Sequence, residues 1–190
     1  MLKILTFWEK KKKKLEEIES AYRNYTGEIV VISDLHIPYL DEEAFDYVYN
    51  YVSKRKNDIV IAGDLITFDK FSRYLYLNNK KLTPKIEIEI AKKYIEKLLK
   101  LNKNIIYLIA NHELRLHKFL MRTLGGSYAS DLIELGLEYE KFFQYNKLKV
   151  IDNWFIKIGD CIISHPEATH PGLPRPPAGK PPPHAGCHLL

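Results

Sequence analysis

Three short runs of β-branched and apolar residues set the strongest limit on the fold. They are Glu28–Ser33 (EIVVIS), Asp58–Ala62 (DIVIA) and Asn104–Ala110 (NIIYLIA). Each is almost continuously apolar rather than alternating. A strand of that kind is buried on both faces, and sheets buried on both faces are characteristically parallel and covered by helices. The intervening segments supply those helices. Asp41 to Lys54 begins with acidic residues and carries Phe45, Val48, Tyr49 and Val52 on one face. Thr83-Pro84 opens a helix to about Leu101, with Thr as its cap and Pro at the first helical position. Residues 2–22 read as an amphipathic helix with Leu5, Trp8, Leu15, Ile18 and Tyr22 on its apolar stripe. Phe71–Leu77, Glu113–Met121 and Ser130–Phe143 read as further helical segments. Beyond them Leu148–Ile151, Trp154–Ile158 and Cys161–Ser164 are closely spaced, with turn residues Asp152-Asn153 and Gly159-Asp160 between them. That spacing predicts an antiparallel meander and a second sheet. The fold class is therefore α/β, and 190 residues suit one domain.

Open α/β sheets bind ligands beyond the carboxyl ends of their strands. The first strand ends in Ser33-Asp34-Leu35-His36, the second in Gly63-Asp64, and the third in Asn111-His112-Glu113. The last short strand ends in Ser164-His165. One Asp after a strand is most often a turn residue or a helix cap. Four strand ends that all carry acid–base or metal-competent groups are hard to explain as four independent caps. Asp, His and Asn are oxygen and nitrogen donors suited to Mn²⁺, Fe, Zn²⁺ or Mg²⁺, and no cysteine cluster points to a softer site. Gly125-Gly126 lacks the context of a phosphate-binding loop, and neither G-x-S-x-G nor G-x-G-x-x-G occurs.

Taken together, Asp34-x-His36, Gly63-Asp64, Asn111-His112-Glu113 and His165 resemble, in order and spacing, the calcineurin-like metallophosphoesterases. The resemblance runs from about residue 28 to 166. Gly63–Asp69 and Asn111–Arg115 look most like the bacterial and phage branch of that family. It implies a two-sheet sandwich flanked by helices and a binuclear centre of two divalent metal ions. By position, Asp34 and His36 would bind the first ion, Asp64 would bridge both, and Asn111 and His165 would bind the second. His112 would be the general acid for the leaving oxygen, or would stabilise charge on the phosphoryl group. Two ions roughly 3.5–4 Å apart suit this chemistry, because attacking and leaving oxygens then both sit near positive charge. A phosphate would also be favoured by the helix N-terminus at Asn111-His112. Arg115, one turn on, is a candidate for steering the substrate phosphate, although a solvated helix arginine is the commoner case. Asp69 is expected to support its loop, and His117 to lie on the surface.

Two departures from the family pattern stand out. Ala110 occupies the place of the usual Gly before Asn-His-Glu, a tolerable change with some strain if that position needs positive φ. The closing Gly-His-x-His, one His for each metal, is absent. The later histidines, His170, His184 and His188, lie in a segment where seven of the ten prolines fall, and residues 168–190 contain no Ile, Val, Asn, Asp, Glu, Phe or Tyr. The expected division is an amphipathic Lys-rich helix at 1–27, a metallophosphoesterase domain at 28–167 missing its last strand or strands, and a Pro-rich tail at 168–190 that is disordered or foreign to the fold. Loss of the closing histidines would weaken metal binding and activity.

The formal charge of +5 says little about partners. Lys10–Lys14 supplies five of the 29 basic residues, which leaves 24 against 24 acidic ones. Such a run is most often a solvated helix face. Two cysteines make no disulfide framework and suit a reducing cytoplasm. No apolar run approaches the roughly 20 residues of a membrane span. The leading expectation is a metal-dependent phosphoester hydrolase acting on a mono- or diester. A nuclease of the same family is the second reading, supported only by the lysine run. A non-enzymatic metal- or partner-binding remnant is the third. No sequence feature sets the oligomeric state.

Overall fold

The computed structural model describes residues 7–72, 82–125, 128, 132, 139–153 and 155–165. The apolar runs pair as the central sheet: β1 (Glu28–Ile32), β2 (Asn57–Ile61), β3 (Ile105–Leu108) and β4 (Leu148–Ile151), in that spatial order and all parallel. The helices are α1 (Phe7–Ala21), α2 (Glu42–Ser53), α3 (Pro84–Leu99) and α4 (Leu114–Leu124). Asp41 caps α2 by accepting from the Ala44 amide at 3.0 Å, and Thr83 caps α3 by accepting from Ile86 at 3.3 Å. Each cap satisfies an amide that has no partner inside its helix.

Alternation along the strands divides the core in two. Val30, Ile32, Ile59, Ile61, Ile105, Tyr107, Leu148 and Val150 pack with Phe45 and Val52 of α2 and with Ala91, Ile95 and Leu98 of α3. Val31, Val60, Ala62, Ile106, Leu108 and Ile151 pack the other way, against Ile18 of α1 and Ile156, Ile158 and Ile163. Those last three belong to an antiparallel hairpin of β5 (Phe155–Ile158) and β6 (Cys161–Ser164). The result is a two-sheet sandwich with helices outside it. Ile59, Ile61 and Ile105 have no exposed surface, and burying such a side chain contributes about 1.5–3 kcal/mol.

The three-strand meander is corrected in one respect. Leu148–Ile151 joins β3 in the parallel sheet, and only β5 and β6 form the second sheet. Its residues explain the difference. Leu148 and Val150 enter one core and Ile151 the other, which suits a member of the central sheet better than an arm of a hairpin. Of the segment Phe71–Leu77, residues 73–77 lie outside the described residues, and Phe71 ends a 3₁₀ turn at Asp69–Phe71. Of the segment 130–143, Leu132 is helical and Tyr139–Phe142 form a 3₁₀ turn, while 130, 131 and 133–138 lie outside the described residues. Residues 2–6, Trp154, the tail from 168 onward and its His170, His184 and His188 lie outside the described residues.

The lysine run has internal partners. Lys11 pairs with Asp152 and Lys14 with Glu140, which ties α1 to the body. Lys12 and Lys13 lie 3.8 and 3.7 Å from Glu16 and Glu17, one turn on. Four of the five lysines thus face a carboxylate of this chain. Among the described residues no helix is long and apolar enough to cross a membrane.

Candidate metal centre

Register brings the polar strand ends to one edge. Ile32 lies opposite Ile61, and Ile61 opposite Tyr107, so the segments after β1, β2 and β3 leave the sheet side by side. The first two stay joined. Asp34 N donates to Gly63 O at 3.3 Å, His36 N to Asp64 O at 2.9 Å, and Ile37 N to Leu65 O at 2.9 Å. Thr67 N returns a bond to Ile37 O at 3.0 Å.

These loops are strained. Asp34, His36, Asp64 and Phe68 have φ of 56°, 46°, 53° and 48°. Left-handed backbone at a residue with a Cβ costs about 1–2 kcal/mol and persists where surroundings over-determine it. Gly63, with φ of 88°, has no alternative. A Cβ there would stand 2.3 Å from the Ala110 Cβ and 3.2 Å from the His165 ring. Ala110 is tolerated for the complementary reason: its φ is not positive, and its methyl fills space that Gly63 leaves open.

Two buried carboxylates impose this geometry. Glu113, 1% exposed, accepts from the amides of Asp64 (3.2 Å), Leu65 (2.8 Å), Ile66 (3.4 Å) and Ala110 (2.9 Å), and from the Tyr107 hydroxyl (2.8 Å). Glu87 of α3 accepts from Phe68 N (2.7 Å) and Thr67 Oγ1 (3.0 Å) through one oxygen, and its other oxygen is buried with no partner among the described residues. Neither role was legible as such. Glu113 stood in the quoted motif without one. Glu87 had a signal, since it shares the inward face of α3 with Ala91, Ile95 and Leu98.

Burial raises the Glu87 carboxyl above its ordinary value, opposed by its bonds to Phe68 and Thr67; Asp69 raises it further and Arg115 lowers it. A carboxyl raised in the folded state favours folding while protonated, and that contribution is lost as pH rises through the folded value. Gln mimics the protonated form. Glu87→Gln should therefore gain stability relative to wild type as pH rises from about 4 to about 8, read as the difference in urea midpoints. A difference that stays flat or reverses would contradict the assignment.

Asp64 is the hub of the site. Its side chain is 5% exposed, and its Oδ2 lies 3.4 Å from His165 Nε2, 3.7 Å from His112 Nε2 and 4.0 Å from His36 Nε2. His36 Nε2 is also 3.6 Å from Asp34 Oδ1. Two triads have donor atoms within 4.8 Å of one another: Asp34, Asp64 and His165, and His36, Asp64 and His112. Asp64 belongs to both.

Partner chemistry assigns the tautomers. His165 Nδ1 is 2.9 Å from Ala62 O and His112 Nδ1 is 3.1 Å from Thr67 O. A carbonyl only accepts, so each Nδ1 carries the proton. The His165 Nε2 is then the nitrogen turned toward Asp64, whereas the His112 Nε2 lies 3.7 Å from Asp64 and 3.0 Å from Arg115. Imidazole nitrogens and carboxylate oxygens gathered within 4.8 Å of one another are the nitrogen and oxygen donors that such ions take, so the set fits a bound metal ion. Burial lowers the His112 imidazole, Asp64 raises it, and Arg115 and His36 lower it again.

Six of the seven residues singled out from sequence are placed relative to this cluster as follows. Asp34, His36, Asp64, His112 and His165 converge. Asn111 lies partly buried in the turn after β3, next to His112. That turn corrects one expectation: α4 begins at Leu114, so Asn111 and His112 precede the helix. The His112 amide faces Asp64 Oδ1 at 3.3 Å, a protein acceptor already in place. The seventh, Arg115, donates to Thr67 O at 2.7 Å and to Asp69 Oδ1 at 3.0 Å, which ties Asp69 to its neighbours; His117 is exposed.

The sequence matches the family described as Calcineurin-like phosphoesterase over residues 27–174. Comparison with curated proteins and with solved structures found no match.

Proposed function

Because the chain belongs to the calcineurin-like phosphoesterase family, we propose that it hydrolyses a phosphoester at a binuclear metal centre on this edge of the sheet. The observation that carries the reading is the position of Asp64 Oδ2, within 4.0 Å of the Nε2 atoms of His36, His112 and His165, with Asp34 beside His36. On this reading Asp34 and His36 hold one divalent ion, Asn111 and His165 hold the other, and Asp64 is shared. The oxygen and nitrogen donors suit Mn, Fe, Zn or Mg. The ions would supply Lewis acidity to the phosphoryl group and to the attacking water.

The chain's own residues do the rest. The strained loops present Asp34, His36 and Asp64 in fixed directions. Ala62 O and Thr67 O hold the His165 and His112 rings. His112 stands beside Asp64, and once protonated, when its Nε2 no longer accepts from Arg115 3.0 Å away, its Nε2–H serves the leaving oxygen. No structural observation favours a nucleic-acid substrate, because four lysines of the basic run already face carboxylates.

The test is hydrolysis of monoester and diester model substrates by the full chain, stripped with chelator and then supplied with Mn²⁺. Activity that disappears with the metal and returns with it supports the proposal, and the preferred ester defines the class. Absence of hydrolysis with every one of the four metals would overturn it.

A further inference from the structure

Arg115 stands where a substrate-steering cation would be convenient, but three of its five N–H donors already face groups of the protein. One terminal nitrogen donates to Thr67 O at 2.7 Å and to Asp69 Oδ1 at 3.0 Å. The other lies 3.0 Å from His112 Nε2. The side chain is 16% exposed, and that of Asp69 21%. A guanidinium has donors only, so the His112 nitrogen facing it must be the acceptor. That agrees with the independent requirement at the opposite side of the ring, where Thr67 O accepts from Nδ1. Thr67 O thus receives both the arginine and the imidazole, and the ring is clamped at both nitrogens.

We infer that Arg115, anchored by Asp69 and Thr67 O, is a positioning residue that fixes the orientation and tautomer of His112, and is not a contact for the substrate phosphate. Its planar fork is the feature that matters. It spans an imidazole nitrogen, a carbonyl and a carboxylate at once, which a single ammonium on a flexible stem does not reproduce. Asp69 works through Arg115: it orients the fork and balances its charge. The kinetic part of this inference rests on the phosphoesterase reading, whereas the structural part does not.

The structural part is tested on the metal-free full chain at neutral pH. Long-range ¹H–¹⁵N spectra, with His112 assigned by the signal lost in His112→Gln, should show a neutral ring protonated on Nδ1. A ring protonated on Nε2 would overturn the inference without any variant of Arg115 having to fold. The kinetic part compares Arg115→Gln, Arg115→Lys, Asp69→Ala and the double variant Arg115→Gln/Asp69→Ala, each checked for folding by its thermal melt. Loss of an outer residue that orients a metal-site group typically costs about 10–100-fold. We expect kcat to fall by that factor in Arg115→Gln and in Asp69→Ala, with KM little changed. Arg115→Lys should fail to restore kcat, and the double variant should be no worse than the poorer single one. A rise in KM at unchanged kcat in Arg115→Gln, cured by Lys, would instead assign the arginine to the substrate phosphate. Absence of hydrolysis by the wild-type chain would end the phosphoesterase reading and leave the tautomer measurement to decide the positioning.

Discussion

Asp64→Asn should lower phosphoester hydrolysis by at least about 10³-fold, equivalent to roughly 4 kcal/mol of transition-state stabilisation. The substitution keeps the shape of the side chain and removes its charge. Asn still offers Oδ1 to the His112 amide, now at 3.3 Å, so the turn after β3 should hold. Only the shared charge of the two triads is lost. The metal-free variant should therefore melt close to wild type while calorimetry with Mn²⁺ shows binding weakened at both sites. Hydrolysis and Mn²⁺ affinity that both survive Asp64→Asn would place the chemistry elsewhere. A variant that loses activity and also unfolds would give Asp64 a structural part beyond the one drawn here.

The second large effect is on stability. Glu113→Ala leaves the amides of Asp64, Leu65, Ile66 and Ala110, and the Tyr107 hydroxyl, without their acceptor. Each buried donor so orphaned costs about 1–3 kcal/mol, less where water enters the vacated space. A total of about 4–6 kcal/mol is expected. That is a large part of the roughly 5–15 kcal/mol that stabilises an ordinary domain. Glu113→Gln should cost about 2–3 kcal/mol, because whichever carboxylate oxygen becomes an NH₂ then faces at least two N–H donors. Urea unfolding of the metal-free chain measures both. The Gln variant should also bind Mn²⁺ more weakly, since the amides it repels belong to the loop that presents Asp64. A Gln variant as stable as wild type would show that the buried carboxylate does not hold that loop.

The parallel sheet was legible because its strands carry apolar residues on both faces, and only a strand inside a covered sheet buries both. Helices α2 and α3 were legible from their caps and stripes. The place of β4 was not. Its four residues suit either a hairpin or a fourth parallel strand, and the choice depends on the long-range partner Ile105–Leu108. The segment read as helical from about Glu113 begins at Leu114, with Glu113 in the cap position and its carboxylate turned to amides of the loop after β2, 47 to 49 positions away, a role that no local pattern shows.

The candidate site divides in the same way. Sequence alone determined which side chains stand at the strand ends, since an apolar run followed by Asp, His or Asn places a polar donor at the edge of the sheet. It determined the donor chemistry as well, and through the joint pattern of motifs the family. Tertiary structure decided what those side chains face. Parallel register brought Asp64 within 4 Å of three imidazoles, and the carbonyls of Ala62 and Thr67 selected the tautomers. Glu87, Glu113 and Arg115 acquired their partners only through packing. A residue's own chemistry is local, but the partner that orients it is chosen by a fold that joins segments far apart in the chain.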